Sequence, residues 1–465
     1  MKLQPKLSTS KFFFLSFLIG AFCLVQAGPP FPEVWNPNPL KYPYVVNESL
    51  YLTASPRQAK PAASLLTSLS KKIAEVFTRT FPLPPSGRGP IRVLLQEGDE
   101  KLVLSAPSGA DLQCFRSAGS MSRERFFPGT IQIELKRGEF RVSGSKGHAF
   151  SGKAIGLRFV TQDSTVPLKL NGKAYRGTLE FYPDDGSIQS INVLPLEDYL
   201  RGVVPLEMGH RSEQELEALK AQAVAARTYA LKFMLTHDSS NFDIRGSIED
   251  QVYGGVGAEY LLSDQAIRET KGRVLLYADT LAMCYYHSTC GGMTASRNEV
   301  WGGAVIPYLV TTSDRDPSGK PWCQASHYMQ WSESWSLAEL TDILRNNLEN
   351  AGVRAPAFRR LKDFRVKSRF ADGRVNVLEV KTDRGAFELH GDKIRVALKT
   401  ATGRMLESAR FDIVVQEDRV IARGNGYGHG VGMCQMGALG RAVAGQSFRE
   451  ILAAYYPGTV LALAK

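Results

Sequence analysis

A single glutamate stands among apolar neighbours in VVPLEMGH, residues 203–210, just ahead of the alanine-rich run EQELEALKAQAVAARTYALKFM. A lone carboxyl group is a candidate general acid and base: packing of Leu206 and Met208 around Glu207 would desolvate it and raise its pKa. A bland alternative fits the same segment, with Glu207 solvated near a helix start and Arg227 a structural salt-bridge partner.

A second concentration of reactive side chains lies downstream. HSTCGG supplies His287 and Cys290, and WCQASH supplies Cys323 and His327. The His-x-x-Cys and Cys-x-x-x-His spacings allow each pair to ligate from a compact turn, so the four form a candidate zinc set. Two other readings compete: a Cys290–Cys323 disulfide in an oxidising compartment, and a histidine that only hydrogen-bonds in a cleft. Near the C-terminus, RGNGYGHGVGMCQMGALG has glycine at every second position from Gly424 to Gly432. On an extended segment this would clear one face for a polymer or for another stretch of backbone. His429 and Gln435 are the polar groups there that could line a site. The segment has no Gly-Lys-Ser/Thr and no dinucleotide fingerprint, which excludes a phosphate loop.

These groups need elements to hold them. Glu213 to Met234 has helical periodicity, opened by Ser212 with Glu215 three residues on as a capping box. Leu216, Leu219, Ala223, Ala226, Ala230, Phe233 and Met234 form one stripe, and Arg227 falls inside it. The small alanines allow close approach of another element. A buried arginine requires an anion, and Glu207, expected on the connector before the helix, is the candidate partner. Such a partner would lower the carboxyl's pKa and oppose an acid role.

Upstream, TIQIELKRGEFRVSG and LKLNGKAYRGTLEFYPDDG alternate in polarity between Gly, Asp and Asn turns, which predicts antiparallel strands. A short helix is expected at LEDYLRGVV, a helix at SLAELTDILRNNLENAG, strands through RLKDFRVKSRFADGRVNVLEVKTDRGAFELHGDKIRVAL, and a final helix at SFREILAAYY. The order predicts an α+β protein: a strand-rich domain at 91–194 and a mixed region at 195–465 that is built on the long helix and carries the candidate acid Glu207. Residues 28–90 read as an extended arm and one helix.

The 465 residues carry 43% hydrophobic and 22% charged side chains and a net charge of +11, which excludes a disordered chain and favours a polyanionic partner. Lys2, Lys6 and Lys11 precede an apolar run from Phe12 to Val25 and small Ala27, the pattern of a signal peptide over 1–27. The expected location is therefore outside the cytoplasmic membrane, periplasmic or envelope-associated, where nucleic acid is not the partner. Without Cys23, five cysteines remain, an odd number too sparse for a disulfide scaffold.

The segment NVLPLEDYLRGVVPLEMGHRSEQELEALKAQAVAARTYAL, with DQVYGG, YYHSTCGGMTA, VWGG and GYGHGVGMCQMGALGRAVAGQSFREILAAYYPGT, resembles the stage II sporulation protein D family of peptidoglycan lytic transglycosylases. The likeness runs from about residue 168 to 459, with divergence between PWCQASHY and the terminal motif. It implies an enzyme that cuts the glycan backbone of peptide-free strands, with Glu207 as the catalytic residue. It also implies that Arg227 and Gln222 of the AQAVAARTYA motif, Tyr253, His287, His429 and Gln435 line the substrate site. Denuded strands keep a lactyl carboxylate on each muramic acid, a polyanion that suits the positive charge. Partners implied are peptidoglycan strands and a cell-wall amidase or division-complex proteins. A binding module that recruits or activates an amidase is the alternative reading. Zinc-containing relatives carry cysteines near the segment corresponding to SIEDQVYGG, which has none here, so no cofactor is expected to be required; zinc at Cys290, Cys323 and His327 remains a candidate.

Overall fold

The computed structural model describes residues 80–81, 89–116, 121–145, 147, 149–236 and 241–464. The leader expected at 1–27 and nearly all of the expected arm at 28–90 lie outside them. Among the described residues no helix is long and apolar enough to cross a membrane.

The fold is α+β. Two antiparallel-rich sheets come from the N-terminal strands. One runs Ile244–Arg245, Ile91–Asp99, Ser187–Leu194, Thr178–Asp184, Gly156–Thr161, Ala110–Phe115, Met121–Phe126. The other runs Lys173–Tyr175, Leu168–Leu170, Lys101–Ala106, Gly129–Lys136, Glu139–Gly144, Ala149–Gly152. The alternation seen in the sequence becomes alternate burial: in Lys101–Ala106 and Gly129–Lys136 every second residue enters the core. Hairpins close where Asn171-Gly172 and Asp185-Gly186 supply two successive positive φ angles, 47° and 85°, 43° and 83°, the demand of a tight two-residue turn.

Helix α1, Leu196–Met208, is followed by a turn at Glu213–Glu215 and then α2, Leu216–Thr236. The Ser212/Glu215 capping box is present and caps that turn. The first helix is longer than LEDYLRGVV predicts. Pro205 lies within it, yet the ladder closes beyond the proline through the Gly209 N–H on the Pro205 carbonyl, and Gly209, at φ 71°, ends the helix. Glu207 is therefore in the last turn of α1, not on a connector. Helix α2 is buried on nearly every side. Its alanines let α1, α3 (Leu261–Glu269) and the strand Arg273–Tyr277 pack close to its backbone.

Short α4, Arg297–Trp301, precedes a second body within the span read as one catalytic region. From Trp331 to Gly424 the chain builds its own core around Trp335, Leu340, Leu344, Leu378, Val380 and Leu389. Its parts are two three-stranded sheets, α5 (Leu337–Asn347) and α6 (Lys393–Ala397). KIRVAL, expected as strand, is largely α6: the sheet ends at His390, and Gly391, at φ 53°, turns the chain. The chain then returns to the main core with α7, Gln435–Val443, and α8, Phe448–Tyr455.

Candidate active site

The site forms where two distant pieces of chain pair. Tyr286–His287 runs parallel to Met433–Cys434, with Tyr286 opposite Met433 and His287 opposite Cys434. This places the start of α7 beside the last turn of α1. Gln435 Nε2 donates to Glu207 Oε2 at 3.2 Å, and the Val252 backbone N–H donates to Oε1 at 3.4 Å. The Tyr286 hydroxyl is a further hydrogen-bond partner.

Glu207 is 3% exposed. Burial pushes its pKa from 4.5 up to about 7, against the smaller opposing pull of the hydrogen bonds from Gln435, Val252 and Tyr286. All three partners are uncharged. A carboxyl held this way exchanges a proton near neutrality, the property a general acid and base needs.

Arg227 is not the partner of Glu207. Its guanidinium is bidentate to Glu197, Nε to Oε1 and Nη2 to Oε2, both at 2.8 Å, and it also donates to the carbonyls of Ile267 and Arg273. The helical wheel correctly demanded an anion but could not name it; the one supplied sits in the first turn of α1, opposite the end that carries Glu207. Arg227 thus clamps α1, α2, α3 and the strand after it, and its 1% exposure leaves no face for substrate. Gln222 is likewise buried, with neither amide atom hydrogen-bonded. The Tyr253 hydroxyl is spent on Asn192 Oδ1 at 2.8 Å.

A cavity of about 940 Å³ is lined by Asp250, Tyr285, Tyr286, Trp301 and His429 together with Arg354, His390 and Lys393 of the second body. Glu207 itself does not line it; Tyr286, a hydrogen-bond partner of Glu207, is among the lining residues. Of the residues predicted for substrate binding, His429 reaches this wall, whereas Arg227, Gln222, Tyr253, His287 and Gln435 do not. His287 hydrogen-bonds through Nδ1 to the Val431 carbonyl at 3.2 Å, and His429 Nδ1 accepts from the Val431 N–H at 3.0 Å. Burial lowers both imidazoles, His287 to about 3, so neither is a cation at neutral pH. Sequence reasoning missed Tyr286 and Trp301. Both lie inside motifs it quoted, YYHSTC and VWGG.

The glycine ladder is not an extended strand. Gly426, Gly428, Gly430 and Gly432 have φ between 72° and 101°. A Cβ on Gly426, Gly430 or Gly432 would lie 2.7 Å from the Thr289 carbonyl oxygen, 2.2 Å from Arg374 Nη2 or 2.0 Å from the Tyr285 carbonyl oxygen. These glycines admit the protein's own chain, not a polymer.

The proposed histidine–cysteine set is also redrawn. His327 is exposed at the start of a short turn. Cys290 and Cys323 meet instead with Cys434 and Asp314, all four buried. Cys114 and Cys284 are buried in the main core.

Residues 184–277 match the family described as stage II sporulation protein, SpoIID, and residues 320–432, close to the second body, match a domain of unknown function, DUF8618. The chain is 33% identical over 306 residues to an uncharacterised protein of Brachyspira hyodysenteriae, covering 65% of this chain and 75% of that one. It is 31% identical over 367 residues to the amidase enhancer of Bacillus subtilis, covering 72% of this chain and 50% of the relative. Against stage II sporulation protein D of Bacillus subtilis it is 29% identical over 287 residues, 58% of this chain and 75% of the relative. The chain belongs to the stage II sporulation protein D family.

Proposed function

We propose that this protein is a lytic transglycosylase that cleaves the N-acetylmuramic acid–N-acetylglucosamine backbone of peptide-free peptidoglycan, working outside the cytoplasmic membrane. The observation that carries the proposal is the Glu207 carboxyl, buried among uncharged donors with its pKa pushed up to about 7. Protonated Glu207 gives its proton to the glycosidic oxygen as the bond to muramyl C1 breaks. The resulting carboxylate takes the proton of the muramyl C6 hydroxyl as that oxygen closes on C1, leaving a 1,6-anhydro end. Acid and base are one group, so no second carboxylate at hydrolase spacing is required. Because the carboxyl is buried, the reading requires the wall at Tyr286 to open toward the cavity when a glycan binds.

The burial of Glu207 and the 31% identity to an amidase enhancer favour one second reading, a glycan-binding protein that stimulates an amidase without cutting. The deciding experiment incubates the protein freed of residues 1–27, and its Glu207→Gln variant, with peptide-free strands, and identifies products by mass spectrometry. Anhydromuramic ends from the parent and none from the variant support the proposal. Retention of strands by both, without cleavage, combined with faster peptide release when an amidase is added to intact sacculi, replaces it with the second reading.

A further inference from the structure

Four side chains from three separated stretches converge behind the Glu207 site. Cys290 Sγ lies 3.7 Å from Cys323 Sγ and 3.1 Å from Asp314 Oδ2. With Cys434 Sγ, all four ligand atoms lie within 4.8 Å of one another, and the residues are at most 1% exposed. A tetrahedral zinc with bonds of about 2.3 Å to sulfur sets its thiolates about 3.8 Å apart, close to the spacing of Cys290 and Cys323.

Backbone donors converge on two of the sulfurs, while the Cys434 thiol also faces the Ser288 carbonyl at 3.6 Å. Backbone N–H groups of Gly292 and Gly437 donate to Cys290 Sγ and Cys434 Sγ, each at 3.2 Å, and the Cys290 N–H donates to Cys434 Sγ at 3.2 Å. The carboxylate is oriented from behind: Asp314 Oδ1 accepts from Arg441 Nη2 at 3.1 Å and from the Tyr455 hydroxyl at 2.8 Å, which leaves Oδ2 turned to the cysteines. Second-layer bonds that hold one carboxylate oxygen and free the other are how a metal ligand is aimed. A Cys290–Cys323 disulfide would use only two of the three sulfurs and leave Cys434 outside the link, although its Sγ lies within the same cluster.

We propose that Cys290, Cys323, Cys434 and Asp314 form a structural site for a single thiolate-preferring divalent metal, zinc by its donor set. Binding releases the three thiol protons and changes no oxidation state. The metal ties the loops after Tyr286–His287 and around Asp314–Cys323 to the N-cap of α7. The next residue is Gln435, so the site fixes the donor that holds Glu207. This inference rests on the cluster geometry and stands whether or not Glu207 cleaves glycan.

The test measures metal in the full mature chain purified under reducing conditions without chelator, by elemental mass spectrometry. A single zinc per chain, reduced at least tenfold in Cys434→Ser and in Asp314→Asn, is expected. Cobalt substitution should give thiolate-to-metal charge-transfer absorption and tetrahedral d–d bands. Because the serine variant could misfold, the parent carries the decision. Parent protein that is metal-free as purified and takes up neither zinc nor cobalt after reduction overturns the proposal, as does a Cys290–Cys323 disulfide found by peptide mapping of metal-free native protein.

Discussion

Gln435 Nε2 sits 3.2 Å from Glu207 Oε2, a contact between residues 228 positions apart in the chain. It stabilises the ionised carboxyl, whereas burial opposes ionisation more strongly, and the balance leaves Glu207 near neutrality. If protonated Glu207 is the acid, kcat/KM should fall above about pH 7, tenfold per unit at the limit. Gln435→Met removes a donor to the charged form, so the limb should move to higher pH by about half a unit to one unit, the equivalent of the ~1 kcal/mol a buried hydrogen bond contributes. A pH profile of anhydromuramic product from both proteins checks this. A limb that stays in place would separate Gln435 from the acid.

The same burial makes Glu207 a liability to stability above neutral pH. A carboxyl raised from 4.5 to about 7 by folding binds its proton more tightly in the native state, so stability is fully present below about 4.5 and is lost progressively up to about 7. At about 1.4 kcal/mol per unit the loss approaches ~3 kcal/mol. Glu207→Gln removes the ionisation. It should be the more stable protein at pH 8, by up to ~3 kcal/mol, with the difference shrinking toward pH 5. Urea unfolding of both proteins across that range reads it directly.

Arg227 and Glu197 make a separate prediction, because the structure assigns them to packing. Glu197→Ala strands a guanidinium that is 1% exposed. Breaking such a pair costs ~3–5 kcal/mol, and the 29% exposure of the Glu197 side chain places this one toward the lower end. Thermal melts should show the loss, while the variant's KM for glycan strands stays near that of the parent at a temperature where both are folded. A KM that rises with little change in stability would return Arg227 to the substrate site.

What could be read from the sequence was local. Helix α2, the capping box at Ser212 and Glu215 on the turn that leads into it, and the hairpins at Asn171-Gly172 and Asp185-Gly186 each declare themselves within a few residues. Charge logic on a wheel established that Arg227 needed an anion, but a wheel fixes a direction on one helix, and the partner lay on another. The metal-ligand pattern failed in the same way. His327 was included because it stands four residues from Cys323, whereas Asp314, with no spacing signature, became visible only when Tyr286–His287 paired with Met433–Cys434. Residues 331–424 looked like a divergence in the family pattern. Their strands and helices were legible, but a second core is a matter of which apolar faces meet.

The glycine ladder supplies the last prediction, because alternation in a sequence does not reveal φ. Gly432 has φ 72°, and a Cβ there would fall 2.0 Å from the Tyr285 carbonyl oxygen, which accepts the Met433 N–H and the Tyr456 hydroxyl. Alanine would add a left-handed strain of about 1–3 kcal/mol to an overlap with backbone that cannot rotate away. Relief means pushing Tyr285 from Met433, and with it the Tyr286 and Gln435 donors that hold Glu207. Gly257→Ala is the control, since nothing lies within 4 Å of its added methyl group. Gly432→Ala should lower stability by at least ~2 kcal/mol and shift the pH limb, whereas Gly257→Ala leaves both near the parent. Equal behaviour of the two variants would mean that the ladder faces open space, and the reading of it as a slot for the polymer would regain its ground.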